Sequence, residues 1–178
     1  IDDMFGIQAE IIPHGIEEKA FAQDLSKSER ITITTVASAI KRKNIDWVIE
    51  AIKNYKGQNE IELIIVGTGT LLSELKQLAG DNSRITFKGK VTRAEVLSIL
   101  QRSDIFALPS YNETYGLTYV EAAATHNAII GLKNEGVWGI FKDKEEMQFC
   151  ENPSDFQEKL FTLIDNSDLI SNLKENAF

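Results

Sequence analysis

Glu113 and Glu121 stand with seven residues between them in the stretch Pro109 to Asn127, PSYNETYGLTYVEAAATHN, where a strand is predicted to feed a helix through a glycine turn. The preceding IFAL is short and apolar, as a buried strand is, and Pro109 ends it by removing a backbone donor. Leu117 to Thr125 carries strong helix formers at apolar spacing, so Tyr115, Gly116, Leu117 and Thr118 are expected in the first turn, whose amides lack internal partners. Such amides, with the positive end of the helix dipole, suit an anion. Glu113 lies ahead of the helix and Glu121 about one turn into it, so both can border that anion without touching each other. A diphosphate flanked by hydroxyl-bearing sugars would satisfy the arrangement: the amides take the phosphates and each carboxylate accepts from neighbouring hydroxyls.

The elements that must position these residues recur along the chain. Short apolar runs begin at Ile31 (ITITTV), Ile61 (IELIIV), Arg84 (RITFKG), Asp104 (DIFALP), Ala128 (AIIGL) and Met147 (MQFC). Between most of them lie helical patterns: NIDWVIEAIKNY places Ile45, Val48, Ile49 and Ile52 on one face, and LLSELKQLA and RAEVLSILQ behave likewise. After Pro153 two terminal helices are predicted, around DFQEKLFTLI and LISNLKENA. Alternating strands and helices imply an α/β domain, a Rossmann-like parallel sheet with helices on both faces. Ligands of such sheets bind beyond the carboxyl ends of the strands, so the loops there carry the chemistry.

At 178 residues the chain has the length of one domain with a proper core. A net charge of -8 argues against a general nucleic-acid binder, which needs clustered Lys and Arg. Cys150 is the single cysteine, so no internal disulfide can form and a reducing, cytoplasmic setting is expected. No apolar run approaches the ~20 residues that cross a bilayer, and no signal peptide is expected. The chain opens IDDMFGIQAE without an initiator methionine, so it is expected to be an excised fragment that lacks a partner domain.

Glu113 and Glu121, with ETYG, EAAA and the apolar run that follows, resemble the signature of retaining, nucleotide-sugar-dependent glycosyltransferases of the GT-B fold, in the group 1 or family four branch. The resemblance covers nearly all of the chain as the C-terminal, donor-binding half of such an enzyme. It implies that residues 1–15 are the crossing from a missing N-terminal acceptor domain, with His14 where the family usually has Asn. It further implies that Glu113 contacts the transferred sugar, that Glu121 holds the ribose hydroxyls, and that amides from Tyr115 to Thr118 cradle the diphosphate. Lys43, in the loop VASAIKRKNID, matches the family lysine that contacts the diphosphate. Gly67 and Gly69 of IIVGTGT correspond to a glycine pair lining the donor cleft, and Lys90 and Val91 of FKGKV to a segment whose backbone contacts the base, uracil most commonly.

The implied activity is transfer of a hexose from a nucleoside diphosphate, a UDP-sugar foremost, to a glycan or lipid-linked acceptor held by the other half, as in polysaccharide biosynthesis. No cofactor or metal is implied, and no DxD-like carboxylate cluster offers a metal site. Membrane contact is expected only through the other half, and the isolated fragment is expected to bind nucleotide without turnover. Several positions depart from the pattern. Ser38 stands where the family has an arginine, leaving Lys41 or Arg42 to compensate, and His126 and Ala128 stand where Gly and Pro are usual. Farther on, Glu135, Gly136 and Gly139 stand where the family has glycines plus a carboxylate. A GT-B relative with weakened catalysis, serving as a binding or scaffolding subunit, is the alternative these departures raise. A NAD-dependent dehydrogenase would need G-x-G-x-x-G after the first strand, which VASAIKRK lacks.

Overall fold

All six apolar runs form strands, each within a residue or two of its predicted limits. In the computed structural model, which describes residues 30–177, they are β1 (Ile31–Val36), β2 (Ile61–Val66), β3 (Ile85–Gly89), β4 (Ile105–Leu108), β5 (Ala128–Leu132) and β6 (Gln148–Cys150). Six helices connect or follow them: α1 (Ile45–Asn54), α2 (Leu72–Ala79), α3 (Arg93–Gln101), α4 (Leu117–Ala124), α5 (Pro153–Ile164) and α6 (Ser167–Ala177). The expected crossing segment 1–15, with His14, lies outside the described residues.

The strands pair in the order β3-β2-β1-β4-β5-β6, every pair parallel. β4 is buried at every position, as a central parallel strand must be. Helices cover both faces. Ile45, Val48, Ile49 and Ile52 of α1 pack with Leu75 of α2, Phe156 and Leu160 of α5 and the inward side of β1 and β2. On the opposite face Leu100 of α3 and Tyr119, Ala122 and Ala123 of α4 pack on Phe106, Leu108 and Ile129. The predicted α/β Rossmann-like sheet is therefore the observed architecture.

Local chemistry sets the helix limits. Thr92 and Glu95 form a reciprocal capping box at the start of α3, while Asn152 caps α5 ahead of Pro153, whose missing N–H costs nothing at a helix start. α4 ends where His126 adopts a left-handed φ of 56° and donates its amide to Ala123. The basic run Lys41–Lys43 does not open a helix directly. It forms one 3-10 turn, and Asn44, also left-handed, separates it from α1. Among the described residues no helix is long and apolar enough to cross a membrane.

Candidate functional site

β1 and β4 are neighbours, and the chain leaves them toward opposite edges of the sheet, so a crevice opens beyond their carboxyl ends. The loop after β1 and the loop after β4 face each other across it and are stitched together. The Tyr111 amide donates to the Arg42 carbonyl at 2.8 Å, Asn44 Nδ2 to the Pro109 carbonyl at 2.8 Å, and Arg42 Nη1 to the Asn112 carbonyl at 3.3 Å. Asn44 is buried and left-handed, a conformation Asn tolerates better than most residues, which lets it turn the chain and still reach across.

Glu113 is the hub of this stitched region. Its Oε1 receives Lys43 Nζ in an ion pair and the Ser110 hydroxyl at 2.8 Å, and its Oε2 lies 3.5 Å from Arg42 Nη1. Burial raises the Glu113 pKa, but hydrogen bonds from Lys43 and Ser110 and the charges of Lys43 and Arg42 outweigh it and hold the carboxyl below its ordinary range. The Glu113 amide donates to Glu135 Oε2 at 3.2 Å. Ser110 is wholly buried, 3.0 Å from the Tyr119 hydroxyl, which in turn donates to the Leu108 carbonyl. Burial pushes the Tyr119 phenol well above its usual value, so it braces Ser110 as a neutral hydroxyl.

Glu121 is held differently. It is 4% exposed, on the second turn of α4, and its Oε1 pairs with Arg93 Nη2 at 2.5 Å. Arg93 comes from the first residue of α3, beside the FKGKV loop. Between the two glutamates Gly116 takes φ 79°, a left-handed turn, and caps α4. The helix thus begins at Leu117, and Tyr115 precedes it rather than sharing its first turn. The amides of Gly116, Leu117 and Thr118 have no hydrogen-bond partner among the described residues.

The glycines of IIVGTGT serve a neighbour. Gly67 has φ 130°, and a Cβ there would fall 1.9 Å from the Ala37 carbonyl oxygen; one on Gly69 would fall 2.4 Å from that of Ala39. The close approach they permit is that of the β1 loop, locked by the Ala39 amide on the Thr68 carbonyl. They therefore set the height of the loop that carries Arg42 and Lys43. Lys90 and Val91 follow β3 at the same carboxyl edge, and no hydrogen bond engages their backbones among the described residues. Of the two cations considered as replacements at Ser38, Arg42 reaches Glu113, while Lys41 lines a separate hollow of about 250 Å³ with Asp46, Leu71 and Glu74.

Ser110, Asn44 and Arg93 are contributors that sequence reasoning missed. Ser110 and Asn44 act through backbone and carboxylate partners more than 60 positions away or hidden in the turn, and nothing in their local pattern announces this. Arg93 does carry a weak signal. A cation at the first residue of a helix opposes the dipole, so its presence there asks for another partner.

Fold and site together define a Rossmann-like domain whose switch-point crevice presents unpaired helix amides between two sequestered carboxylates, with Lys43 and Arg42 beside them. Residues 16–178 match the family described as glycosyl transferases group 1. The chain belongs to that family. It is 30% identical to the alpha-monoglucosyldiacylglycerol synthase of Acholeplasma laidlawii, over 94% of this chain and 46% of that protein. It is 26% identical to the synthase of the same name from Streptococcus pneumoniae, over 78% of this chain and 35% of that protein. The chain thus spans less than half the length of these curated relatives. In structure it is similar to WaaG, a glycosyltransferase involved in lipopolysaccharide biosynthesis, with a TM-score of 0.83 at 20% identity over 99% of this chain and 53% of WaaG. It is also similar to the C-terminal domain of a group 1 family protein, LpcC, from Francisella tularensis, with a TM-score of 0.78 at 24% identity over 92% and 94% of the two chains. These likenesses are of fold, and they make it the fold of GT-B glycosyltransferases.

Proposed function

We propose that this domain binds the donor of a retaining glycosyltransferase: a nucleoside-diphosphate sugar, a UDP-hexose foremost, whose sugar passes to a glycan or glycolipid acceptor held by a further domain. One observation carries the reading. Glu113 and Glu121 flank the unpaired amides of Gly116 to Thr118, and Lys43 and Arg42 reach the same place from the loop after β1. The diphosphate rests on those amides, Glu121 accepts ribose hydroxyls, and Glu113 faces the hydroxyls of the transferred sugar. Lys90 and Val91 offer free backbone groups to the base.

The bond that breaks joins the anomeric carbon to a diphosphate oxygen. The acceptor oxygen attacks from the same face, its proton passes to the departing diphosphate, and the sugar carries oxocarbenium-like charge between the two events. Negative charge grows on the leaving group, so the domain contributes by position and by charge: the α4 amides and the ammonium of Lys43 stabilise it, each worth about 3 kcal/mol at the barrier. Arg42, already 3.5 Å from Glu113, supplies the second cation that Ser38 does not. The reading invokes no cofactor or metal. A cytoplasmic setting belongs to it.

Calorimetric titration with UDP, GDP and ADP, free and as sugar conjugates, tests the reading. One of them binds the wild type, and Glu121→Ala weakens it at least about tenfold. Absence of binding by all of them overturns it.

A further inference from the structure

Glu121 is a carboxylate 4% exposed with a single cation against it among the described residues, and that cation comes from another helix. Three observations indicate that the pairing is built. The backbone of Arg93 is fixed by the capping box, in which Glu95 Oε2 accepts from the Thr92 amide and hydroxyl, each at 2.8 Å. Next to it Leu97 of α3 packs on Ala124 of α4, setting the spacing of the two helices. And a guanidinium at the first position of α3 opposes that helix's own dipole, so its placement asks for a carboxylate partner outside α3, which Glu121 supplies. Arg93 meets Glu121 at Oε1, while Oε2 has no hydrogen-bond partner among the described residues and keeps its lone pairs for a donor.

We infer that Arg93 is a positioning residue that holds Glu121 by its Oε1 and leaves Oε2 to accept from the nucleotide, and that it thereby sets the demand for a ribose hydroxyl. A buried carboxylate that loses its cation swings toward water, and that change spoils it as an acceptor aimed at one hydroxyl. The planar fork of Arg fixes the plane of the carboxylate as well as its charge, whereas Lys would fix the charge alone. This inference rests on the donor-site reading and adds to it the residue that gives the ribose contact its selectivity.

The test compares a nucleoside diphosphate with its 2′-deoxy and 3′-deoxy forms, for UDP, GDP and ADP, on the full chain as wild type, Arg93→Ala and Arg93→Lys, with thermal melts to confirm folding. The wild type prefers the ribonucleotide over at least one deoxy form by about tenfold, the weight of one hydrogen bond to a charged acceptor. Arg93→Ala still binds, but its preference shrinks to within about twofold, and Arg93→Lys lies between the two. A merely structural Arg93 would weaken ribo and deoxy forms alike, so preference retained in full by a folded Arg93→Ala overturns the inference. No binding of any ribonucleoside diphosphate by the wild type overturns the donor-site reading itself and the inference with it.

Discussion

The two glutamates flank one helix start, yet the molecule holds them by opposite means. Glu113 sits on a loop and is clamped by three side chains, Lys43, Arg42 and Ser110, all from loops. Glu121 sits within a helix and is more deeply buried, but it has one cation, drawn from the end of another helix. The loop carboxylate needs many partners because its backbone supplies little rigidity; the helical one inherits rigidity from α4 and needs only its charge balanced. It follows that the Glu113 side of the crevice is the more sensitive to substitution in the loops, and the Glu121 side to changes in how α3 and α4 pack.

The largest effect expected on this contrast is that of Gly67→Ala. Its new Cβ would collide with the Ala37 carbonyl, at a φ that L side chains rarely adopt, and would lift the loop bearing Arg42 and Lys43. A loss of about 3 kcal/mol is expected, seen in a denaturant melt. In the folded remainder the Glu113 cluster should be disturbed while the Arg93–Glu121 pair persists. Lys43→Ala comes next. It removes the ammonium paired with Glu113, whose side chain is 9% exposed, and leaves Arg42 and Ser110 to hold it, at a cost of about 2–3 kcal/mol. The Lys43→Ala, Glu113→Gln double variant should recover part of that loss, a coupling that a double-mutant cycle reads directly.

Glu121→Gln should cost less, about 1 kcal/mol, because a buried amide needs no counter-charge and the Arg93 side chain is already 52% exposed. Equal losses at Lys43 and Glu121 would erase the contrast. The smallest effect is one of pH. The folded pKa of Glu113 lies below its unfolded value of about 4.3, so its contribution is complete above that value and is lost as pH falls through the lower folded one. Wild type and Glu113→Gln should therefore differ in stability at neutral pH and converge in acid; a gap that widens in acid would contradict the assignment.

The parts of this molecule that follow chain periodicity were legible in its sequence. All six strands and the helices between them show in the spacing of apolar residues, and Pro109 marks the end of β4 by a local rule. The pair Glu113 and Glu121 was legible because turn, glycine and helix lie within one short stretch. What escaped was whatever depends on contacts between distant segments. Gly67 and Gly69 read as room for a ligand, whereas the room is taken by the backbone of Ala37 to Ala39, which joins the site only once β1 and β2 pair. Arg42 and Lys41 are adjacent and chemically alike, and only the 3-10 turn decides that the first meets Glu113 and the second faces Asp46 and Glu74. Tyr115 falls two residues ahead of the first helical residue because Gly116 takes a left-handed φ and becomes the cap.

The central claim is that a nucleotide's diphosphate rests on the open end of α4. Amide-resolved NMR of the isotopically labelled chain, titrated with UDP, GDP and ADP, addresses it most directly. The account predicts that the amide signals of Gly116, Leu117 and Thr118 shift together as one of these ligands saturates the protein, with smaller shifts at Lys90 and Val91. Saturable binding that moves signals elsewhere and leaves those three amides unchanged would contradict it.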